Sequence, residues 1–163
     1  MGLDMYLDVR KFIPVIDWSS VPKEGVPDGK TFSDYKSPEF LKVAEFFPED
    51  LKKYSQTGSY VTLNVVYWRK AYQIHDWFVK HVQKGNDNCE PYWVSRDTLK
   101  ELLTTVDKVL SGSKKTAEKL LPTTSDYHDW YYDDLRHTKE MLESVLADVP
   151  ESWDYDFYYN SSW

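Results

Sequence analysis

The sequence predicts a single α+β domain over residues 1–163, with three main helices packed on a small antiparallel sheet that includes both chain termini. The first and last stretches alternate apolar and polar side chains, which is typical of half-buried strands. Between them, three segments carry apolar residues at helical spacing. The length is usual for one domain, and no repeat, linker or low-complexity tract divides the chain.

The two terminal strands are expected to pair, because both alternate apolar residues with acids. Their apolar or aromatic positions are Leu3, Met5, Leu7 and Val9 in the first strand, and Trp153, Tyr155, Phe157 and Tyr159 in the second. The main helices are predicted over 64–84, from the N-cap Ser95 to Gly112, and from 125 or 126 to 148. Shorter elements are predicted within 39–54, 92–94 and 117–121, and a long loop over 18–38.

Composition restricts the classes of function. The formal net charge of -7 is opposite to that of a nucleic-acid-binding surface, so direct nucleic-acid binding is not expected. The aromatic fraction of 17% predicts a bulky core and argues against disorder. The lone Cys89 fits a reducing compartment. No signal peptide and no apolar run long enough to span a bilayer is evident, so we expect a soluble cytoplasmic protein with no membrane partner.

Motif analysis identifies no established catalytic or cofactor-binding pattern. The sequence contains no GxGxxG, Walker P-loop, HExxH, paired CxxC or GxSxG. His75 and His81 are six residues apart on one predicted helix, which is poor geometry for a shared metal. We therefore predict no metal, no cofactor and no assigned catalytic residue.

A ligand pocket is predicted around the helix over 64–84. On a helical projection its apolar and aromatic residues lie within about 60° of one direction, together with His75. The candidate ligand-binding residues are Tyr67, Trp68, Arg69, Lys70, Tyr72 and His75. The alternatives are a histidine buried in the core with its polar atoms satisfied, and two solvated cations.

A partner-binding surface is predicted from the acids and aromatics of the third helix and the tail. Its candidate residues are Asp126, Asp129, Trp130, Asp133, Asp134, Asp154 and Asp156. Such a surface would meet a basic groove on another protein. The alternative is a solvated helix start beside a charged outer strand face.

Three stretches of the chain match the landmarks of a known family: Met-Gly-Leu-Asp-Met-Tyr-Leu at 1–7, Tyr-Trp-Arg-Lys-Ala at 67–71 with Ile74 and His75, and the closing aromatic strand. In these stretches the chain resembles a family of small uncharacterised proteins from tailed bacteriophages and prophages. The chain departs from the family at Tyr72, where asparagine is usual, and in a shortened segment at 124–126. The resemblance implies a phage accessory protein in the bacterial cytoplasm and no established activity.

The leading hypothesis is a non-enzymatic phage protein that inhibits a host process, in particular antiviral defence, by binding a host protein or a nucleotide signal. One alternative is an enzyme acting on small molecules or nucleotides, with His75 as acid or base. The other is a structural or assembly protein. The sequence leaves the oligomeric state open.

Overall fold

The computed structural model describes residues 2–52, 57–124 and 126–163 and has the α+β architecture that the sequence predicts. In chain order the elements are β1 (Asp4–Pro14), a 3-10 turn (Phe32–Tyr35), α1 (Pro38–Ala44), α2 (Glu49–Lys52), β2 (Gly58–Arg69), α3 (Tyr72–His81), β3 (Tyr92–Val94), α4 (Arg96–Leu110), α5 (Lys114–Leu120), α6 (Asp129–Asp148) and β4 (Tyr155–Ser162).

The sheet has four antiparallel strands in the order β2-β1-β4-β3. The N-terminal and C-terminal strands are therefore neighbours, as their shared pattern predicted. Strand β3 pairs with β4 in a register that places Val94 opposite Phe157 and Tyr92 opposite Tyr159. Trp153 is an exception to the predicted alternation, since it precedes β4 and is exposed.

The predicted helix over 64–84 is wrong in its first third, which belongs to strand β2. The segment Val65–Val66–Tyr67–Trp68 is β-branched and aromatic, and Val66 and Trp68 are buried while Tyr67 and Arg69 are exposed. Lys70 then adopts a left-handed conformation (φ 59°), which fits neither a helix nor a strand, and α3 begins at Tyr72. Trp68 and His75 therefore lie on different elements.

The other two main helices agree with prediction more closely. Ser95 is the N-cap of α4, and its hydroxyl accepts from the Thr98 backbone N–H at 3.0 Å. Helix α6 ends at Asp148 as expected but begins at Asp129, three or four residues later than predicted. Among the helices of residues 2–52, 57–124 and 126–163, none has the length and apolar character needed to cross a membrane.

By its contacts the chain divides into two compact units, residues 1–10 with 63–163 and residues 11–62. The sequence shows no linker at this division, because β1 and β2 each run through both units. In the first unit, buried side chains of β1, α3, α4, α6 and β4 form one core, in which Phe78 stacks on Tyr159 with ring centroids 4.0 Å apart.

The unit formed by residues 11–62 has a small core of its own, made of Ile13, Val15, Phe40 and Ala44. The Ser37 hydroxyl caps α1 by accepting from the Phe40 backbone N–H at 3.2 Å. The long loop predicted over 18–38 contains the 3-10 turn. Immediately before this loop, Ile16 forms an isolated bridge with Lys36.

Arg96 joins the start of α4 to the end of α6. Its guanidinium donates to the carbonyl oxygens of Leu146 at 2.8 Å, Val149 at 2.5 Å and Pro150 at 3.1 Å. We expect Arg96→Ala to lower the free energy of unfolding by about 1.5–3 kcal/mol, because it removes charge-assisted hydrogen bonds to carbonyls at a helix end. Urea unfolding followed by circular dichroism measures the loss.

The control for this prediction is Arg136→Ala. Arg136 is also an arginine at the α6 surface, but it forms an ion pair with the exposed Asp133, and such a pair contributes less than about 1 kcal/mol. Equal losses for the two variants would show that the carbonyl contacts of Arg96 add nothing.

Candidate functional site

A cavity of about 560 Å³ opens where β2 passes into α3, facing the first turns of α6. Its volume lies in the range of small-molecule sites. The lining residues are Arg69, Lys70, Tyr72, Gln73, Thr123, Asp126, His128, Trp130, Tyr131 and Asp134. The cavity therefore brings together three of the residues predicted to bind a ligand and three of those predicted to bind a partner.

One wall of the cavity is cationic. Arg69 and Lys70 are both exposed, and in the part of the chain that the structure describes neither side chain forms an ion pair. The Lys70 N–H donates to the Leu3 carbonyl at 2.8 Å, and the Lys70 carbonyl accepts from the Tyr72 N–H at 3.0 Å. These bonds hold Lys70 in its left-handed conformation, which costs a residue other than glycine roughly 1–2 kcal/mol.

A carboxyl and an amide are fixed together within the cavity. Gln73 is only 4% exposed, and its Nε2 donates to Asp134 Oδ2 at 3.1 Å. Burial raises the pKa of Asp134, while the hydrogen bond from Gln73 and the nearby His137 oppose the rise. The folded protein therefore binds the proton of the Asp134 carboxyl more tightly than the unfolded chain does. The protonated carboxyl contributes to the free energy of unfolding at low pH, and this contribution is lost as the pH rises through the raised pKa of the folded state.

The aromatic side chains of the cavity differ in exposure. Trp130 is 77% exposed and Tyr72 is also exposed, so both rings are accessible to a ligand. Tyr131 is buried, and its hydroxyl donates to the Leu121 carbonyl at 2.8 Å. Burial raises the pKa of Tyr131 far above its usual value. Tyr131 is therefore a fixed neutral wall, whereas Tyr72 and Trp130 offer free ring faces.

His75 does not line this cavity. It is 4% exposed, and its Nε2 lies 3.1 Å from Asp87 Oδ1. Its Nδ1 is hydrogen-bonded to the Tyr159 hydroxyl at 2.7 Å. Each ring nitrogen therefore has a polar partner within 3.1 Å, as in the buried arrangement weighed as an alternative from the sequence.

Trp68 and Tyr67 also lie outside the cavity lining. Trp68 is 2% exposed, and its indole N–H donates to the Thr138 hydroxyl of α6 at 2.9 Å. Tyr67 faces the other side of β2, where its hydroxyl donates to Asp4. Of the six residues predicted to bind a ligand, Arg69, Lys70 and Tyr72 line the cavity and the other three do not.

The predicted partner surface is divided between the two ends of α6. Asp126, Trp130 and Asp134 line the cavity at its start, whereas Asp154 and Asp156 follow its end, about 30 Å away along a helix of 20 residues. The remaining candidates are exposed: Asp129 in the first turn, and Asp133, which pairs with Arg136 at 2.5 Å. At the far end, Asp154 accepts from Ser152, and Asp156 accepts from the Trp93 indole at 2.8 Å.

Sequence reasoning missed Gln73, Thr123, His128 and Tyr131 as cavity residues. A projection of 64–84 as one helix directs Gln73 away from the apolar side, although the structure buries it. The signal that would have found it is the start of α3 at Tyr72, which places Gln73 in the first turn and next to α6. Thr123, His128 and Tyr131 carry no such local signal, because only tertiary packing brings them to this cavity.

Within the residues that the structure describes, no group of three or more histidine, cysteine or acidic side chains is arranged to hold a metal ion. The chain was also compared with known proteins. No protein-family model matches it, and neither a curated protein nor a solved structure shows significant similarity to it.

Proposed function

We propose that this protein binds a small anionic ligand with an aromatic ring, of the nucleotide class, in the cavity between β2, α3 and α6. The observation that carries the proposal is the composition of this one cavity. It combines two cations that form no ion pair with any residue the structure describes, two accessible aromatic rings and a fixed amide–carboxyl pair.

Each component of the cavity matches one part of a nucleotide. Arg69 and Lys70 supply charge-assisted hydrogen bonds to a phosphate. Tyr72 and Trp130 supply ring faces for stacking on a base. Gln73 and Asp134 supply polar atoms for the base edge, in a position that their mutual hydrogen bond fixes. The mixed charge also favours a ligand that is anionic at one end only.

Binding has more support than catalysis from this arrangement. The enzyme hypothesis rested on His75, whose side chain is buried, with one ring nitrogen against the Tyr159 hydroxyl and the other against the Asp87 carboxyl. The division of the acidic surface likewise weakens the case for a single large protein partner. A small molecule is the ligand that the geometry supports best.

The resemblance to tailed-phage proteins supports a biological role for such binding. We propose that the protein sequesters a nucleotide signal of the bacterial host and thereby inhibits a host process such as antiviral defence. Such a protein would act stoichiometrically, without turning its ligand over.

The first test is native mass spectrometry of the protein purified from bacteria, followed by isothermal titration with nucleoside monophosphates and diphosphates. A bound nucleotide, or saturable binding with one ligand per chain, is the expected result. A protein that carries nothing and binds no nucleotide would contradict the proposal, and a pull-down of host proteins would then test the acidic residues.

A variant of Lys70 separates the ligand role from the stability role. Lys70→Gly removes a cation from the cavity and relieves the left-handed backbone. We therefore expect nucleotide binding to weaken about tenfold, while the free energy of unfolding rises by up to about 1 kcal/mol. Titration calorimetry and urea unfolding measure the two effects.

Lys84→Gly is the matched control for Lys70→Gly. Lys84 has nearly the same backbone conformation (φ 55°) but lies beyond the end of α3 and is not among the cavity residues. It should gain similar stability with no change in nucleotide affinity. If both variants bind as tightly as the original protein, Lys70 has no part in ligand binding.

A further inference from the structure

The orientation of Asp134 is set by a buried neighbour. Gln73 is almost completely buried, so its amide is held in one position, and it donates to only one of the two Asp134 oxygens. No lysine or arginine of the described residues forms an ion pair with Asp134. The carboxyl is half-buried at the cavity wall. It therefore presents unused acceptor positions, in a fixed direction, to whatever occupies the cavity.

An ionised carboxylate accepts hydrogen bonds and donates none, and its two oxygens suit a pair of parallel donors. Guanine offers such a pair, since its N1–H and its 2-amino group are adjacent on one edge. Adenine and cytosine each present an amino donor beside a ring-nitrogen acceptor. Uracil presents one N–H between two carbonyl acceptors. A fixed carboxylate therefore matches guanine best among the common bases.

We propose that the cavity is selective for guanine nucleotides, with Asp134 as the specificity-determining residue and Gln73 as the residue that positions it. Asp134 accepts from N1–H and from the 2-amino group. This inference rests on the proposed function, in which Arg69 and Lys70 bind the phosphate of the same ligand.

The placement of charge in the cavity agrees with this ligand. The cations lie where β2 passes into α3, whereas Asp134 lies on the second turn of α6. The complementary ligand carries negative charge at one end and two hydrogen-bond donors at the other. Inorganic phosphate lacks the donors, and a simple amine lacks the anion, whereas a guanine nucleotide has both.

The test titrates the unmodified protein with GMP, IMP and AMP. IMP differs from GMP only by the missing 2-amino group, so its affinity measures that one contact. We expect GMP to bind at least tenfold more tightly than IMP or AMP. Because this comparison needs no variant, it does not depend on how a substitution affects folding.

Asp134→Asn tests the assigned residue directly. Asparagine offers one acceptor and one donor, which match the N1–H and the 2-carbonyl of xanthine. We expect the variant to lose at least tenfold in GMP affinity and to bind XMP more tightly than the unmodified protein does. Asp133→Asn is the matched control, since Asp133 is exposed and paired with Arg136, and it should leave both affinities unchanged.

The possible outcomes separate the two proposals. If none of the nucleotides binds, the proposed function fails, and this inference fails with it. If GMP, IMP and AMP bind equally well and Asp134→Asn changes nothing, the nucleotide site stands and guanine selectivity is overturned. A GMP preference that survives Asp134→Asn would instead show that Asp134 is not its source.

Discussion

Replacing Trp68 by alanine is expected to lower the free energy of unfolding by about 3–5 kcal/mol, because it removes a large buried ring and leaves a cavity. Trp68 is 2% exposed, and its ring lies 5.9 Å from that of Phe78. The substitution also removes the indole N–H bond to the Thr138 hydroxyl, which itself donates to the Asp134 carbonyl at 2.7 Å. Urea unfolding followed by circular dichroism measures the change.

Two further variants make this prediction specific. Trp68→Phe keeps part of the ring but lacks the N–H, so its loss should be intermediate. Tyr67→Phe changes the neighbouring exposed aromatic and should cost less than about 1 kcal/mol. A Trp68→Ala protein that unfolds at an unchanged urea concentration would show that this residue is not part of the core.

His75→Ala is expected to lower the free energy of unfolding by about 2–4 kcal/mol. The substitution empties a buried site and removes a hydrogen-bond partner of the buried Tyr159 hydroxyl. Burial raises the pKa of Tyr159 far above its usual value, so its hydroxyl stays protonated after it has lost His75 as a hydrogen-bond partner. The ring also ties α3 to Asp87, in the loop that follows, and packs edge-on against Trp163 with centroids 6.1 Å apart.

His81→Ala is the control for the His75 variant. His81 is an exposed histidine of the same helix, with its ring stacked on Trp77 and its Nδ1 hydrogen-bonded to the Trp77 carbonyl. Its removal should cost less than about 1 kcal/mol. At temperatures where both variants are folded, both should bind nucleotides as the original protein does. Unchanged stability together with lost binding in His75→Ala would return His75 to the ligand site.

Much of the fold is predictable because its local signals are strong. The alternation from Leu3 to Val9 and the Ser95 cap depend on short stretches of chain whose pattern and structure agree. The stretch from Val65 to Ala71 is harder, since its apolar residues fit one face of a helix as well as a strand. In the structure the strand ends and the helix begins on either side of one left-handed residue, Lys70. Neither the helical nor the strand period of apolar residues predicts such a residue.

The candidate site was only partly accessible from sequence. Arg69, Lys70 and Tyr72 were predicted together because they are adjacent in the chain. Asp134 and Trp130 were assigned to a different surface, because about 60 residues separate them from Tyr72. Only the packing of α6 beside α3, seen in the Gln73–Asp134 hydrogen bond, joins the two groups. The assignment of His75 to a ligand site was based on a helical projection. Such a projection shows which side of a helix is buried but does not distinguish a closed core from an open pocket.

The position of β4 has a consequence for the newly made chain. This strand is synthesised after the other three, yet it lies between β1 and β3 in the sheet. Its Asn160 reaches back across 152 residues to hydrogen-bond Asp8. Until it emerges, one side of β1 is an unpaired edge of the kind that promotes association between chains, and pairing over so long a separation is slow. The net charge of -7 makes the chains repel one another, so the acidity of the sequence opposes association through the edge of β1 until β4 has paired with it.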